Sequence, residues 1–271
     1  AARRRGVSWT AAHLFTNGSW SLDRFHERCK GQHPNCSGLG RVRSNTAATG
    51  MALMPFLAAG HTHRTGRYQQ IVAKGVEWLV AQQKANGDLL SEGDAAHAQM
   101  YSHGIASIAL CEAYGMTEDP KLRSAAEKAI KFIVQAQNTS TGGWRYKPYE
   151  ENGYRDRGDM SVTGWQIMAL KSAQFGGIDV PLESLDRALK YMDSIGGGKR
   201  KSIYGYTSKG DPKPAMVSEG MFCQQLLRQH AIDQRSASPQ DINLRLEESA
   251  KYLEKNLPNP RRLKYNYYYW Y

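Results

Sequence analysis

A glycine that recurs at the start of an apolar segment is the feature that most constrains the fold of this chain. The four glycines are Gly50, Gly104, Gly164 and Gly220, at intervals of 54, 60 and 56 residues. A long, nearly fixed period indicates one supersecondary unit repeated along the chain. The sequence therefore predicts a single repeat domain over residues 1–271, with repeats near 44–90, 94–146, 159–206 and 214–257.

Each repeat is predicted to consist of two helices of different character. The first helix begins at the repeated glycine and is apolar on every side, and a glycine just beyond it (Gly60, Gly115 or Gly176) favours a left-handed C-terminal cap. The second helix is amphipathic and follows a capping residue or proline, as at Asp119-Pro120, with counterparts at Pro181 and Ser238-Pro239. Predicted amphipathic helices run from Pro120 and over 67–83, 182–195 and 243–257.

This pairing of helices predicts an all-α architecture. A helix that is apolar all round must be covered on every side. The simplest arrangement places the apolar helices in an inner ring and the amphipathic helices in an outer ring. No segment alternates for long enough to predict a strand. The expected fold is an α/α toroid, or a partial toroid.

The turn after the amphipathic helix carries a second repeat. Residues 137–144 contain Gln, then Gly-x-Trp, and 13–20 keep the spacing with His in place of Gln. Residues 82–89 keep Gln and Gly but end in Leu. A glutamine at the end of a helix can bond its last carbonyls, and the tryptophan can pack against that end and set the direction of the next helix.

At these residues the chain resembles the squalene-cyclase and prenyltransferase superfamily, whose hallmark is the repeated Gln-to-Gly-x-Trp element. It is most similar to squalene-oxidase-repeat proteins of unassigned activity, which share the Tyr-x-His-Gly opening (Tyr101, His103, Gly104) and the Gly-Gly-Trp-Arg-Tyr turn (residues 142–146). The resemblance covers nearly the whole chain. It implies the terpenoid-cyclase fold and a central cavity suited to a hydrophobic ligand.

The catalytic motifs of that superfamily do not carry over. In the cyclase motif Asp-x-Asp-Asp-Thr-Ala the middle aspartate is the general acid, and this position falls on Ser161 or Ala47. Only Asp159 matches, at the first position of the motif. The Asp, Cys and His zinc set of protein prenyltransferases has no convincing match, and the thioester motif of complement-type toroids is absent. We expect no cofactor and no catalytic metal.

Chemistry is expected where the loops before the inner helices meet around the cavity mouth. We predict Asp159, Glu219 and His103 as catalytic candidates, and five residues as ligand-binding candidates: Thr49, His97, Tyr101, Thr163 and Trp165. Asp94 lies in one of the same loops. Shifted pKa values in such a pocket would suit acid–base chemistry.

Structural alternatives stay open for each candidate. The threonines and Asp159 suit helix caps, His103 suits a polar link between helices, and Glu219 suits the positive end of a helix dipole. Asp94 and His97 can be ordinary loop residues, and the aromatic residues can belong to the core. A metal held by His97, His103 and Asp159 is conceivable, although no spacing enforces it.

The charge of the chain bears on its partners. Thirty-six Lys and Arg against 25 Asp and Glu give a net charge of +11. Such an excess favours anionic partners, including a membrane surface, or is simply a solvated exterior. No nucleic-acid module accompanies it, so no specific nucleic-acid binding is expected.

The cysteines divide into two kinds. Cys111 and Cys223 lie in apolar helices and are typical of core residues. Cys29 and Cys36 flank a loop, where a disulfide, free thiols, or a metal held with His26 and His33 are all open.

Three functional hypotheses follow. The favoured one is a non-catalytic or uncharacterised toroid domain that binds a hydrophobic, isoprenoid-like ligand or a protein partner. The second is an enzyme of terpene-cyclase or prenyltransferase type that acts on an isoprenoid diphosphate. The third is a scaffold in a larger assembly. Residues 264–271 lie where a fifth inner helix should begin, so we expect a fragment of a longer protein or an open ring, with partners at its open ends.

Overall fold

The structure is a computed structural model that describes residues 2–29, 36, 38, 40–149 and 157–257. Within these residues almost all regular structure is helical, which confirms the predicted all-α class. The elements are α1 (Ala2–Ala12), α2 (Asn45–Ala58), α3 (Gln69–Gln82), α4 (Gln99–Thr117), α5 (Pro120–Gln135), α6 (Met160–Phe175), α7 (Leu182–Ile195), α8 (Pro214–Asp233) and α9 (Pro239–Lys255), with 3₁₀ helices at Phe25–Arg28 and Ala96–Ala98. Two short strands that the sequence did not predict, β1 (Gly196–Gly197) and β2 (Ile203–Tyr204), pair in antiparallel fashion.

The helices alternate between fully and partly buried, as the hydrophobic pattern predicts. Fourteen of the 19 residues of α4 are buried, against seven of the 16 residues of α5. Most residues of α2 and α6 and half of those of α8 are likewise buried, whereas α3, α7 and α9 keep a polar face in solvent. The predicted pairing of an apolar with an amphipathic helix is therefore confirmed. Closure into a toroid stays a prediction.

The chain forms two compact units. One unit contains Ala1–Gln135 and Ser172–Val180, and in it α2 packs against α3 and α4, and α4 packs against α5. The other contains Ala136–Lys171 and Pro181–Tyr271, and in it α8 packs against α7 and α9. The predicted segment 264–271 lies outside the described residues.

The repeated glycines do not begin the inner helices, contrary to the sequence expectation. Each helix starts four to six residues earlier, so that Gly50 is the sixth residue of α2. A Cβ at Gly50 would lie 2.9 Å from the carbonyl oxygen of Ile105 and 3.0 Å from the Cα of Ala106. The glycine is needed here because the main chains of α2 and α4 approach each other closely, not because a helix starts.

The predicted helix ends are right at Gly60 and Gly176 and wrong at Gly115. Gly60 follows α2 with φ +81°, as expected for a left-handed cap. Gly115 instead lies inside α4, which continues to Thr117 and ends at Glu118 in the left-handed region. After α6 the left-handed residue is Gly177 and not Gly176. A Cβ at Gly115 would come within 3.1 Å of the Cα of Gly176, so close packing of these two glycines explains the misleading pattern.

The starts of the amphipathic helices are predicted better. Asp119 precedes α5, and its carboxylate accepts a hydrogen bond from the N–H of Lys121. Ser238 and Asp241 form a reciprocal capping box at the start of α9. The observed bounds agree with the predicted ones within a few residues, and those of α7 agree at both ends.

In two of the turns a glutamine side chain connects the turn to the next amphipathic helix. The Gln137 amide donates to the carbonyls of Gly142 in the turn and Ser184 in α7, at 2.8 and 2.9 Å. Gln83 donates in the same way to the carbonyls of Gly87 and Ala125 of α5. The expected bond to the last carbonyls of the residue's own helix is thus wrong, and in the second turn Gln83 takes the position that the spacing gave to Gln82.

Candidate functional site

Three of the four residues that precede the repeated glycines make the same hydrogen bond. The Thr49 hydroxyl accepts from the N–H of Trp20 at 3.0 Å, and the Thr163 hydroxyl accepts from the N–H of Trp144 at 3.1 Å. In the repeat between them, Nδ1 of His103 accepts from the N–H of Leu89 at 3.2 Å. All three acceptors are fully buried. Each therefore ties the turn of its repeat to an inner helix. For His103 this is the predicted polar link, whereas the helix-cap alternative for Thr49 and Thr163 is wrong, because both threonines lie inside their helices.

Both nitrogens of His103 are engaged by main-chain groups. Nδ1 accepts the Leu89 N–H, so Nε2 carries the proton and donates to the carbonyl of Ala129 in α5 at 3.0 Å. The ring is completely buried. A general acid or base must exchange a proton with a reacting group. The geometry of His103 fits a link between α4, α5 and the turn, and its catalytic role stays a prediction.

A buried carboxylate that the sequence analysis did not single out lies beside His103. One oxygen of Asp88 is 3.7 Å from Nδ1 of His103, and the other accepts from Nζ of Lys84 at 2.8 Å and from the Gln99 amide at 3.0 Å. Burial by itself raises the pKa of Asp88, but the His103 ring, the Lys84 ammonium group and the Leu90 N–H outweigh burial and lower the pKa to about 2. Asp88 is thus ionised at neutral pH, and it organises this turn.

Asp159 caps the start of α6 and accepts hydrogen bonds on both oxygens. Oδ1 accepts from the Ser161 hydroxyl at 2.6 Å and from the N–H of Val162 at 2.8 Å. Oδ2 accepts from Nη1 of Arg145 at 2.7 Å and from the Tyr206 hydroxyl at 3.4 Å. Asp159 is fully buried, and burial raises its pKa although these donors oppose the shift. The helix-cap alternative is thus realised in this geometry.

Arg145 joins Asp159 to two tyrosine rings at a partly exposed position. Its guanidinium carbon lies 4.4 Å from the ring centre of Tyr146 and 5.4 Å from that of Tyr206. Its Nη1 donates to the Tyr206 hydroxyl at 3.1 Å, and the two tyrosine hydroxyls are hydrogen-bonded to each other. The Arg145 side chain keeps 23% of its surface exposed. We call Arg145, Tyr146, Asp159 and Tyr206 the Asp159 cluster.

Arg145 is the site residue that the sequence analysis missed. The Gly-Gly-Trp-Arg-Tyr turn was recognised, but its arginine was not weighed as a functional group. The two tyrosines, Tyr146 and Tyr206, are among the aromatic residues that the sequence assigns to the core. The sequence does contain a signal for this residue, an arginine next to aromatic residues in the turn that precedes Asp159. Arginine side chains often lie over aromatic rings in cation–π contacts.

Glu219 is fully buried in α8 and lies against Gly164 of α6. A Cβ at Gly164 would overlap the Glu219 carboxyl group, so the glycine makes room for it. Burial, together with the charge of Glu219, raises the pKa of the Cys223 thiol well above its usual range. Glu219 and Asp159 both belong to the second unit.

The remaining candidates have differing surroundings. His97 is exposed in the 3₁₀ helix Ala96–Ala98, Tyr101 is half-buried in α4, and Trp165 is buried in α6. The Asp94 carboxylate accepts from the N–H groups of Asn45 and Thr46, at 2.8 and 2.9 Å, and so caps α2. Among the described residues, the group with metal-ligand geometry does not include His97, and a metal held by His97, His103 and Asp159 stays a prediction.

Cys29 and Cys36 are joined as a disulfide, one of the three states that the sequence left open. Cys111 and Cys223 are buried free thiols, as predicted. Of the two histidines weighed with the loop cysteines, His33 lies outside the described residues. Within the described residues the group with metal-ligand geometry is His13, Cys29 and Cys36, and the sequence analysis did not connect His13 with it.

Comparison with known proteins gives one finding about the fold. No protein-family model and no curated protein matches the chain. Among solved structures it is similar to ent-copalyl diphosphate synthase from Streptomyces platensis, with 16% identity and a TM-score of 0.45. The match covers 82% of this chain and 45% of that one, so the chain spans less than half the length of its structural relative.

Within the described residues the chain is a series of paired helices, which is an all-α fold. A sequence identity of 16% gives no information about activity or substrate. Function is therefore argued from the described residues alone.

Proposed function

We propose that this chain is a terpenoid-cyclase-like helical domain that binds a hydrophobic, isoprenoid-like ligand and does not start a cyclisation by protonation. The observation that carries the proposal is the state of Asp159. A proton donor needs a protonated carboxyl group that can approach the substrate. Asp159 is fully buried, and its two oxygens accept from Ser161, Val162, Arg145 and Tyr206.

The acid position of the cyclase motif supports the same conclusion. Ser161, which stands there, donates its hydroxyl hydrogen to Asp159 at 2.6 Å. A serine hydroxyl is far too weak an acid to protonate an alkene. The two residues together hold the first turn of α6 in place.

The exposed side of the Asp159 cluster supports ligand binding. Arg145 lies over two tyrosine rings, and its side chain is partly exposed. Aromatic faces suit an apolar chain, and a guanidinium suits a phosphate or another anionic head group. The net charge of +11 would favour the approach of such an anion. A protein partner at the same rim is the other occupant that the sequence analysis predicts.

A titration with two probes tests this proposal. Tryptophan fluorescence would follow binding of geranylgeranyl diphosphate and of geranylgeraniol, which lacks the diphosphate. We expect Arg145→Ala to weaken diphosphate binding by about tenfold, the loss of one charge-assisted contact, and to change alcohol binding much less. Arg145→Lys should recover part of the loss, and the exposed Arg123→Ala serves as the matched control. Failure of the wild-type chain to bind either probe would contradict the proposal.

An enzyme that acts on an isoprenoid diphosphate is the second candidate. It is favoured by the raised pKa of Asp159 and by the complete burial of Glu219. Mass spectrometry of products after incubation with geranylgeranyl diphosphate separates the two functions. Turnover that disappears in Asp159→Asn or Glu219→Gln would establish the enzyme and overturn the binding proposal.

A further inference from the structure

A buried histidine faces the two loop cysteines of the first unit. Nε2 of His13 lies 2.9 Å from Sγ of Cys29 and 3.4 Å from Sγ of Cys36. His13 and Cys29 are 4% and 5% exposed, and Cys36 is half-buried. The three potential ligand atoms lie within 4.8 Å of one another. The disulfide alone does not explain why a buried histidine nitrogen faces both sulfurs.

The proton on His13 can be assigned from its second contact. Nδ1 lies 2.6 Å from the carbonyl oxygen of Trp9, one turn earlier in the chain. A carbonyl oxygen only accepts hydrogen bonds, so Nδ1 carries the hydrogen and Nε2 of the neutral ring carries a lone pair. That lone pair points at Cys29 and Cys36. Disulfide sulfurs have no hydrogen to donate, so the lone pair receives no donor from them.

A metal ion would use this lone pair and both sulfurs. Ligating histidines commonly donate their other N–H to a main-chain carbonyl, which fixes the tautomer and the ring orientation, as Trp9 does here. The Trp9 ring also stacks on His13 with centroids 3.8 Å apart, which holds the imidazole in place. Two thiolates and one imidazole are a ligand set that suits zinc.

We propose that the reduced chain binds Zn²⁺ through Nε2 of His13 and the thiolates of Cys29 and Cys36. Ligands at about 2.1 and 2.3 Å from a tetrahedral ion lie about 3.6 Å from each other, close to the 3.4 Å between His13 and Cys36. The Cys29 sulfur would move slightly outward once the disulfide is absent. Three protein ligands leave a fourth position for water. Binding displaces two thiol protons, so the affinity should fall as the pH is lowered.

The site would fasten the segment around Cys29 and Cys36 to α1. The disulfide joins the two cysteines to each other only, whereas the metal would add His13 of the segment that follows α1. Disulfide and zinc site are alternative states of the same sulfurs. The oxidised chain should therefore bind no zinc at this place.

The test uses the whole chain, purified without chelator, in reduced and oxidised forms. We expect about one zinc per reduced chain by elemental analysis, as the single three-ligand set implies, and none per oxidised chain. Cobalt substituted for zinc should show thiolate charge-transfer absorption and the intense bands of tetrahedral coordination. Cys29→Ser and Cys36→Ser should lose the metal, and Cys111→Ser, which changes a buried thiol of α4, is the matched control.

A second measurement uses the wild-type chain and so does not depend on how variants fold, and a His13 variant provides a third. In the wild-type reduced chain, zinc should slow alkylation of Cys29 and Cys36, read at each cysteine by mass spectrometry. His13→Ala should weaken zinc binding by more than about 100-fold, beyond the loss typical of an outer-shell change. The proposal is overturned if the fully reduced chain binds no zinc, or if zinc leaves the alkylation rates of both cysteines unchanged.

Discussion

At the residue scale, Asp88 gives the structure a defined dependence on pH. Its pKa is about 2 in the folded chain against an ordinary value of 3.8. A carboxyl group with a lowered folded-state pKa stabilises the fold above the unfolded pKa, and this stabilisation is lost as the pH falls through the folded pKa. The relevant window is therefore between about pH 4 and pH 2.

The expected size of this effect on the unfolding free energy follows from the pKa shift of Asp88. A change of nearly two pKa units corresponds to about 2 kcal/mol of unfolding free energy. We predict that the wild-type chain loses about 2 kcal/mol more than Asp88→Asn between pH 4 and pH 2. Denaturant unfolding at a series of pH values measures this difference, and parallel curves for the two proteins would refute the assigned role of Asp88.

The contact between Gly164 and Glu219 gives a second prediction at this scale. A methyl group at residue 164 overlaps a buried carboxyl group, and overpacking of this kind costs about 1–3 kcal/mol. Gly164→Ala should be destabilised by that amount, and Glu219→Ala should relieve most of the added cost in the double variant. Gly210→Ala is the control, because a Cβ there meets no atom closer than 3.9 Å. If the effects of the two changes on the unfolding free energy are strictly additive, residues 164 and 219 do not interact energetically.

At the element scale, a glutamine after the amphipathic helix connects the following turn to the next amphipathic helix. Gln137 donates to Gly142 and Ser184, and its Oε1 accepts from the Ser184 hydroxyl and from the Arg187 guanidinium. Gln83 makes the two donor contacts in the preceding turn. Loss of these partners leaves buried polar groups unsatisfied, and each such group costs about 1–3 kcal/mol.

We therefore predict that Gln137→Ala destabilises the chain by more than about 2 kcal/mol, and Gln83→Ala by less, because Gln137 has more partners. Thermal and denaturant unfolding measure both. The exposed Gln135→Ala at the end of α5 is the matched control. Equal effects for residues 135 and 137 would mean that the turn does not depend on these bonds.

Helix pairs were predictable from the sequence because their period and capping signals are local. The bounds of α7 and the starts of α5 and α9 came from proline and capping residues. The roles of Gly50 and Gly115 were misread, since a glycine that permits close packing has the same local pattern as one that begins or ends a helix. The ion pair between Arg145 and Asp159 and the approach of His13 to the cysteines join segments 14 or more residues apart, and no local pattern encodes them.

At the scale of the whole molecule, the four repeats and their helix pairs were visible in the sequence, whereas the division into two compact units was not. Within the described residues no helix is both long and apolar enough to cross a membrane. The closure of the ring stays a prediction, as does the role of a scaffold in a larger assembly.

The excess of positive charge predicts a salt-dependent association with anionic membranes. With a net charge of +11, the chain should sediment with vesicles that contain phosphatidylserine and not with neutral vesicles, because each basic residue at such a surface contributes about 1 kcal/mol. The association should vanish at about 1 M salt, where screening is nearly complete. Binding that persists in high salt or on neutral vesicles would contradict an electrostatic origin.

The central claim is that the chain binds an apolar ligand without turning it over. Native mass spectrometry of the purified chain, with organic extraction of what co-purifies, tests it most directly. The account predicts an added mass that is released as an intact isoprenoid-like molecule, and no cyclised product after incubation with geranylgeranyl diphosphate. A chain that stays at its bare mass in excess of that ligand, or one that converts it, would contradict the claim.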